Sequence, residues 1–308
     1  MNIVALAGGV GGAKLADGLQ RVAGDSLTVI VNTADDFELH GLYISPDLDT
    51  VMYALAGIAN PETGWGIAGD TFNNLEMISR YGAENWFQLG DRDLATHLVR
   101  TQMLRRGSTL TQATSYLARS LGVPATILPM ANERVATVIE SDEGNLTFQD
   151  YFVRHRWQPF LRAIRLDGIE RARPSLEVLR AIDRADAIIV GPSNPFVSIA
   201  PILAVPSLRE NIHAASAIKI AVTPIVGGEA LKGPAAKMFR EMNIQPSALA
   251  VAQHYRAVVE RFVLDRVDEG HAPAIKDLGM RVWVTDTVMR NELDRERLAQ
   301  EIVDWVMR

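Results

Sequence analysis

The sequence predicts an α/β fold, with a Rossmann-like parallel sheet in three layers and a mostly helical insertion. Short apolar runs recur along the chain, and segments with helical spacing of apolar residues separate them. Such runs are typical of parallel strands that helices cover on both faces. Loops rich in Gly, Pro, Asn and Asp follow several runs, and ligands of such folds bind beyond the carboxyl ends of the strands.

The first half of the chain alternates predicted strands with predicted helices. Residues 3–7 are a buried strand that ends in glycines, and Leu15, Leu19 and Val22 then share one face of a helix. The next predicted elements are a strand at 27–31, helices at 50–58, 94–105 and 109–121, a strand at 125–128, and a hairpin with strands at 136–141 and 146–152.

The second half predicts a helix at 176–185 and buried strands at 187–190, 218–222 and 281–284. A charged amphipathic helix at 291–307 completes the pattern. The apolar stripe of that helix leaves two interpretations open, a core face or a subunit interface, and it consists of Leu298, Ile302, Val303 and Val306.

We expect one α/β domain, residues 1–308, with a helical cap or insertion at about 60–122. No low-complexity linker and no internal repeat divides the chain. We also expect a homodimer.

Composition narrows the range of functions. The chain has 308 residues, of which 48% are hydrophobic and 22% are charged, which is usual for a globular protein. The net charge of −6 and the lack of a basic block argue against nucleic-acid binding. The chain has no cysteine, which excludes disulfides and thiolate metal sites. We expect neither a signal peptide nor a membrane span, and we expect a cytoplasmic protein.

A glycine-rich turn, "LAGGVGGAKL", joins the first predicted strand to the first predicted helix and contains Gly8, Gly9, Gly11 and Gly12. Glycine lets backbone N–H groups approach a phosphate, and a helix N-terminus favours negative charge. Lys14 lies in the first helical turn and adds a full positive charge. A tight turn that needs glycine for packing is the alternative. We favour phosphate binding, because four glycines exceed what a turn requires.

Four carboxylates follow the second predicted strand. Asp35 and Asp36 come directly after it, and Asp47 and Asp49 come after Pro46. Each of the latter two is alternatively a helix cap. Beside a phosphate loop, carboxylates suit Mg²⁺, which takes one or two of them together with substrate oxygens. A carboxylate also accepts the proton of an attacking hydroxyl, so Asp49 and Asp47 are our catalytic candidates.

Two later stretches add polar side chains. "LGDRDLATH" contains Arg92, whose planar guanidinium suits a phosphate or a flat ring, and His97, which we interpret as a structural hydrogen bonder. "GPSNP" follows a buried strand and contains Ser193 and Asn194, which offer hydrogen bonds to a ligand. The alternative for the first stretch is that Asp91 is a helix cap and Arg92 its surface partner, and the alternative for the second is ordinary turn chemistry.

The ordered set "LAGGVGGAKL", "VNTADD", "ISPDLDTVMY", "GDRDLATH", "ILPM", "FQDYFV", "GPSNP" and "KGPAAKM" resembles the 2-phospho-L-lactate transferase family of coenzyme F420 biosynthesis. The resemblance covers nearly the whole chain. One departure is the segment with Ala131, Asn132 and Glu133, where relatives tend to have Ser-Asp-Asp residues.

The resemblance implies a specific phosphotransfer that needs Mg²⁺. The acceptor is FO, a deazaflavin with a ribityl chain, and the donor is a guanosine diphosphate-linked three-carbon acid. GMP leaves and F420-0, or its dehydro form, is produced. The family pattern implies that Asp49 and Arg92 touch the acceptor, and that Asp35 and Asp49 bind the metal.

Two other functions compete with this transferase. A related group of nucleotide-sugar-binding regulators shares the glycine loop, but it should lack the "GDRD" element that this chain has. A dehydrogenase is disfavoured, because the glycine fingerprint is imperfect and no acidic residue closes the second strand at the ribose position. The sequence does not reveal whether the donor acid is lactate, enolpyruvate or glycerate.

Overall fold

The computed structural model describes residues 1–308, and it contains fourteen strands and twelve α-helices. The strands are β1 (Ile3–Ala7), β2 (Leu27–Val31), β3 (Phe37–Leu39), β4 (Leu42–Ile44), β5 (Thr126–Pro129), β6 (Ala136–Ser141), β7 (Gly144–Thr147), β8 (Leu161–Asp167), β9 (Ala187–Val190), β10 (Ile218–Val222), β11 (Ile225–Val226), β12 (Glu229–Ala230), β13 (Arg261–Asp265) and β14 (Arg281–Thr285).

The helices are α1 (Gly9–Ala23), α2 (Pro46–Leu55), α3 (Asn73–Arg80), α4 (Asp91–Arg105), α5 (Leu110–Ser120), α6 (Leu176–Asp183), α7 (Ala200–Ala204), α8 (Leu208–Ala214), α9 (Ala235–Glu241), α10 (Ala248–Tyr255), α11 (Ala272–Asp277) and α12 (Glu292–Val306). None of them combines the length and the apolar composition that a membrane crossing needs.

Seven parallel strands form the central sheet, in the order β14-β13-β10-β9-β1-β2-β5. The chain builds one half outward from β1 and the other half outward from β9, so the strand order reverses between β1 and β9. Leu6 pairs with Ile30 on one side and with Val190 on the other. The predicted α/β class is confirmed, and the crevice where such folds bind ligands lies between β1 and β9.

The pleat of β1 explains why this strand is apolar throughout. Val4 and Leu6 face one buried cluster, whereas Ile3, Ala5 and Ala7 face another on the opposite side of the sheet. Because both faces are covered, successive side chains are all buried. Smaller sheets lie outside the central one: the hairpins β3-β4 and β11-β12, and the antiparallel sheet β7-β6-β8.

Two helices near the site begin earlier than the apolar spacing predicts. α1 begins at Gly9 rather than Ala13, so the glycines form its first turn instead of a loop. α2 begins at Pro46 rather than Thr50, because proline suits the first position of a helix. The aspartates at 47 and 49 therefore lie in the first turn of α2. The prediction also omitted β8 and β13, since charged residues interrupt or bound their apolar runs.

The C-terminal stripe belongs to the core. Leu298, Ile302 and Val306 are buried in the same cluster as Leu15 and Leu19 of α1. The segment 60–122 contains α3, α4 and α5. Its last helix, α5, buries Leu110, Leu117 and Ala118 in that same cluster, whereas α3 has no buried residue. The division of the chain into one domain with a cap stays a prediction.

Candidate active site

A cavity of about 880 Å³ opens at the carboxyl ends of the central strands. Loops that follow β1, β2, β9, β10 and β14 all contribute to its wall, as expected at a topological switch point. Most of the predicted site residues line it, namely Gly8, Gly9, Gly11, Lys14, Asp35, Asp47, Asp49, Ser193 and Asn194. Gly12 and Arg92 are not part of the lining.

The glycine turn is needed for close packing, which was the alternative weighed for it, and its role in phosphate binding stays a prediction. A side chain on Gly11 would place its Cβ 2.2 Å from the carbonyl oxygen of Pro192, so glycine is needed where the loops after β1 and β9 meet. Gly12 is similarly confined by Ser193. Gly8 donates its N–H to Ser193 Oγ at 3.2 Å. The first turn of α1 nevertheless borders the cavity, and its leading amides lack intrahelical acceptors.

Asn32 joins two of the carboxylates. Its Nδ2 donates to Asp35 Oδ2 at 2.9 Å and to Asp47 Oδ2 at 3.0 Å. Asp47 Oδ1 accepts the N–H of Gly9 at 2.8 Å, so this side chain also approaches the N-terminus of α1. The second oxygen of Asp35, Oδ1, is buried without a hydrogen-bond partner.

Burial raises the pKa of both carboxyls in this pair. The pKa of Asp47 rises to about 6, although the hydrogen bonds from Asn32 and Gly9 oppose the shift. The pKa of Asp35 lies well above its usual range because of burial and the neighbouring Asp47 charge. Two buried carboxylates that share one amide donor and leave an oxygen unsatisfied are short of positive charge.

Asp49 has a different environment. The buried guanidinium of Arg100 binds both of its oxygens, with Nη1 3.0 Å from Oδ2 and Nη2 on Oδ1. Burial alone would lower the pKa of Arg100, but the Asp49 charge raises it overall. The two residues predicted as a metal pair, Asp35 and Asp49, thus have different hydrogen-bond partners, Asn32 and Arg100.

Two further α4 residues extend this buried network. His97 Nδ1 lies 3.3 Å from Arg100 Nη1, and its Nε2 lies 3.3 Å from Asp93 Oδ1. The Tyr53 hydroxyl is 2.7 Å from Asp93 Oδ1. Asp93, His97 and Tyr53 all line the cavity. The interpretation of His97 as a structural hydrogen bonder agrees with its contact to Arg100.

The remaining residues that were predicted to bind the substrate make contacts within the protein. The Lys14 ammonium donates to the carbonyl oxygen of Met289 at 2.8 Å and makes no salt bridge. Burial lowers the pKa of Lys14, and the nearby charges of Arg295 and Lys232 lower it further. Asn194 Oδ1 accepts the N–H of Phe196 at 2.9 Å, which is the local contact of ordinary turn chemistry, the alternative for it.

The structure does not bring Arg92 to the cavity. Its side chain is exposed, and its Nη1 lies 3.4 Å from the carbonyl oxygen of Ala68. Its backbone N–H, like that of Asp93, binds Asp70, which thereby caps α4. Asp91, for which a cap role was the alternative, accepts the backbone N–H groups of Asn73 and Asn74 at the start of α3.

Aromatic side chains form another part of the cavity wall. Phe148 and Phe152 stack with their ring centroids 5.3 Å apart, and Trp157 lies 5.2 Å from Phe152. Trp86 also lines the cavity, and the guanidinium of Arg154 lies 4.7 Å from the centroid of its indole ring. This wall offers a flat apolar surface of the kind that binds a planar ring.

Sequence reasoning missed Asn32 and Arg100, and it did not select Asp93. Asn32 directly follows β2, at the strand end where site residues are expected. Asp93, His97 and Arg100 are spaced i, i+4 and i+7, so they lie on one face of α4. A polar stripe at helical spacing, on a face that is buried, was the available sign of this network.

Comparison with known proteins gives the family. The model of the family described as "2-phospho-L-lactate transferase CofD" matches residues 3–303. The chain belongs to the CofD family. Among CofD relatives, the 2-phospho-L-lactate transferase of Methanosarcina mazei is 38% identical over 302 residues, covering 98% of this chain and 99% of the relative. The phosphoenolpyruvate transferase of Streptomyces griseus is 43% identical over 296 residues, covering 94% and 93%.

These matches confirm the resemblance stated from the motifs, and they identify the chain as a transferase of the CofD family. Among solved structures, a UPF0052-family protein from Bacillus halodurans superimposes with a TM-score of 0.63. It covers 98% of each chain at 18% identity. At that identity the likeness concerns the fold alone.

Proposed function

We propose that this CofD-family enzyme transfers a phosphorylated three-carbon acid from a guanosine diphosphate-linked donor to the ribityl hydroxyl of FO. The transferred group is phospholactyl, phosphoenolpyruvyl or phosphoglyceryl, and the products are GMP and F420-0 or its dehydro form. The proposal rests first on the full-length similarity to proteins named as transferases of phospholactate and phosphoenolpyruvate. The N-terminus of α1, of the kind that binds phosphate in other proteins, and the aromatic wall line the same cavity, which supports the proposal.

The donor diphosphate fits at the first turn of α1. The leading amides of α1 and the helix dipole favour an anion there. The Lys14 ammonium lies in the same wall and has no carboxylate partner within 4.0 Å, so its charge is available to a phosphate. Ser193, on the loop after β9, borders the same turn.

Mg²⁺ fits between Asp35 and Asp47 better than between Asp35 and Asp49. Asp35 and Asp47 both accept hydrogen bonds from the Asn32 amide, and Asp35 Oδ1 is buried without a partner. This oxygen is therefore available to coordinate a cation. Asp49 is already neutralised by Arg100. When bound, Mg²⁺ neutralises nonbridging oxygens of the diphosphate. We therefore replace Asp49 by Asp47 in the proposed metal pair.

The FO ring fits the aromatic wall, and its ribityl chain then extends toward the carboxylates. We propose that Asp49 orients the terminal hydroxyl and accepts its proton, much as an aspartate does in protein kinases. A bond forms between that hydroxyl oxygen and the phosphorus that carries the three-carbon acid. The bond from this phosphorus to the oxygen of GMP breaks, and GMP leaves with the electron pair.

Product analysis tests the function directly. Purified protein is incubated with FO, Mg²⁺ and each of the three guanylylated donors, and the products are separated by chromatography and identified by mass spectrometry. We expect equimolar GMP and a phosphodiester of FO with at least one donor, and product formation at least ~10²-fold slower with Asp49→Asn. Absence of product with every donor would refute the proposal.

The metal pair has its own test. Chelation should abolish product formation, and Asp35→Asn or Asp47→Asn should raise the Mg²⁺ concentration needed for half-maximal activity. Asp183→Asn, on the exposed end of α6, is the matched control. An unchanged Mg²⁺ requirement in both site variants would remove these residues from the metal site.

We also propose that the enzyme is a cytoplasmic homodimer. The absence of cysteine suits a reducing compartment. Because the C-terminal stripe is buried in the core, it does not supply the dimer interface. Light scattering on the purified protein at several concentrations measures the oligomeric state, and a monomer at all of them would exclude the homodimer.

A further inference from the structure

Three polar side chains meet at one corner of the cavity. The proposed transfer assigns a role to one of them, Asp49. Asp49, Asp93 and His97 each offer one oxygen or nitrogen atom, and these atoms all lie within 4.8 Å of one another. All three residues are buried, and all three line the cavity. One small atom at their centre, either a cation or a hydroxyl oxygen, would contact all of them.

Arg100 makes a hydroxyl the better occupant. Its guanidinium already binds both oxygens of Asp49, and its Nη1 lies 3.3 Å from His97 Nδ1. A cation added to this corner would face that fixed positive charge at short range, where repulsion is weakly screened. A neutral hydroxyl meets no such repulsion.

The hydrogen-bonding pattern of His97 supports the same occupant. A guanidinium only donates hydrogen bonds, so Nδ1 of the neutral ring accepts and its proton is on Nε2. Nε2 approaches Asp93 Oδ1 to 3.3 Å, but its geometry is not that of a hydrogen bond, and it has no partner. His97 is 1% exposed, so an unpaired donor there is costly unless a ligand satisfies it.

We propose that Asp49, Asp93 and His97 form a hydroxyl subsite for a polyol chain, with Arg100 as its positioning residue. The hydroxyl donates to a carboxylate and accepts from His97 Nε2. This inference rests on the proposed function, and it assigns to the subsite the ribityl hydroxyl next to the one that reacts. Asp49 then binds two vicinal hydroxyls, one on each oxygen.

Ligand binding without the donor tests the subsite separately from transfer. FO and an analogue with a methyl group in place of the ribityl chain are each titrated with protein, and the quenching of their fluorescence gives Kd. We expect FO to bind at least ~10-fold more tightly than the methyl analogue, since hydrogen bonds to charged groups are among the stronger ones. Asp93→Asn should remove most of that difference, and the exposed Asp183→Asn should not.

Two histidine variants separate the contact with the ligand from a structural role. His97→Asn keeps an acceptor near Nδ1 for Arg100 but lacks the Nε2 donor, so it should weaken FO binding about 10-fold and leave binding of the methyl analogue unchanged. His97→Gln places an amide N–H near the Nε2 position and should restore part of the loss. The exposed His213→Gln is the control.

Three outcomes would overturn the subsite. Equal binding of FO and the methyl analogue to the unmodified protein would exclude ribityl recognition, while GMP release would still report the proposed function independently. Equal losses for both ligands in His97→Asn would indicate a purely structural role. Calorimetric binding of Mg²⁺ that disappears in His97→Asn but persists in Asp47→Asn would identify a cation site instead.

Discussion

The guanidinium of Arg100, on α4, binds both carboxylate oxygens of Asp49, on α2, inside the protein. Arg100 is 1% exposed, which is rare for arginine unless it is paired. The pair crosses from the helix that follows β4 to a helix of the segment 60–122. It therefore fixes the position of a candidate catalytic carboxylate from outside the central sheet.

Replacement of Arg100 by methionine should destabilise the protein. Removal of one partner leaves the other charge buried and uncompensated, which typically costs about 3–5 kcal/mol. Thermal unfolding should therefore occur several degrees lower than in the unmodified protein. Arg92→Met, on the exposed side of the same helix, is the control, and its Tm should stay within about 1 °C. Equal Tm values for the two variants would contradict the energetic role of the pair.

Asp49→Asn should lower turnover at least ~10²-fold, which is the scale of lost general-base catalysis. The amide cannot take the hydroxyl proton, and it offers Arg100 only one acceptor. GMP release at saturating FO and donor measures the effect, and circular dichroism checks that the variant is folded. A folded Asp49→Asn enzyme with normal turnover would exclude Asp49 as the proton acceptor.

Arg92→Ala tests whether Arg92 contacts the acceptor, as the family pattern implies, or lies away from it, as in the structure. The resemblance implies that Arg92 touches the acceptor, so its loss should raise the KM for FO. The structure places its side chain outside the cavity lining, so we expect the KM values for FO and donor to change less than about 2-fold. A selective rise in the KM for FO would instead place Arg92 at the acceptor site.

Gly11→Ala should impair both stability and activity. The added Cβ would lie 2.2 Å from the carbonyl oxygen of Pro192, so the backbone of one loop has to move. Such overpacking typically costs about 1–3 kcal/mol. Gly270→Ala is the matched control, because a Cβ at that position would have no heavy atom within 4 Å and the φ of Gly270 is not positive. Calorimetry and GMP release measure the two effects, and a Gly11→Ala enzyme that matches Gly270→Ala would show that the contact is not required.

Attachment of α3 should depend on the ionisation of Asp91. Hydrogen bonds from Thr71 and from the Asn74 and Asn73 amides lower the pKa of Asp91 to about 2, against an ordinary value of 3.8. Because the folded-state pKa is the lower one, the stabilisation is complete above about pH 4 and is lost as the pH falls through about 2. We expect the amides of α3, which has no buried residue, to lose hydrogen-exchange protection over that range.

The matched variant for this prediction is Asp91→Asn, measured at pH 7. In this variant the amides of α3 should lose hydrogen-exchange protection at pH 7, while the strands of the central sheet keep theirs. Glu76→Gln, which alters only an exposed ion pair with Arg80, should have no effect. Unchanged protection of α3 in Asp91→Asn would show that other contacts hold this helix.

The sequence alone predicted the parts of the fold that follow from short-range patterns. The strands β1 and β9 are wholly apolar, and β2 and β10 contain one polar residue each, Thr28 and Lys219, so burial on both faces makes all four recognisable as apolar runs. The beginnings of α1 and α2 were misplaced, since glycine and proline suggest a loop when helix spacing is the only guide. In this protein both residues lie inside helix N-termini.

The sequence identified most residues of the site but not which of them contact one another. Position after a strand end identified Asp35, and the motif identified Asp49, yet nothing local shows that Asn32 joins Asp35 to Asp47 or that Arg100 binds Asp49. Arg100 and Asp49 are 51 residues apart in the chain. Their contact depends on how α4 packs against α2, which is a property of the tertiary structure.

That packing also restricts how relatives can be recombined. A chimera that takes the Rossmann core from one relative and the segment 60–122 from another would inherit Asp49 and Arg100 from different parents. Exchange is therefore safest when the crossover points keep α2 and α4 together, so that an engineer who seeks a new donor preference leaves this ion pair intact.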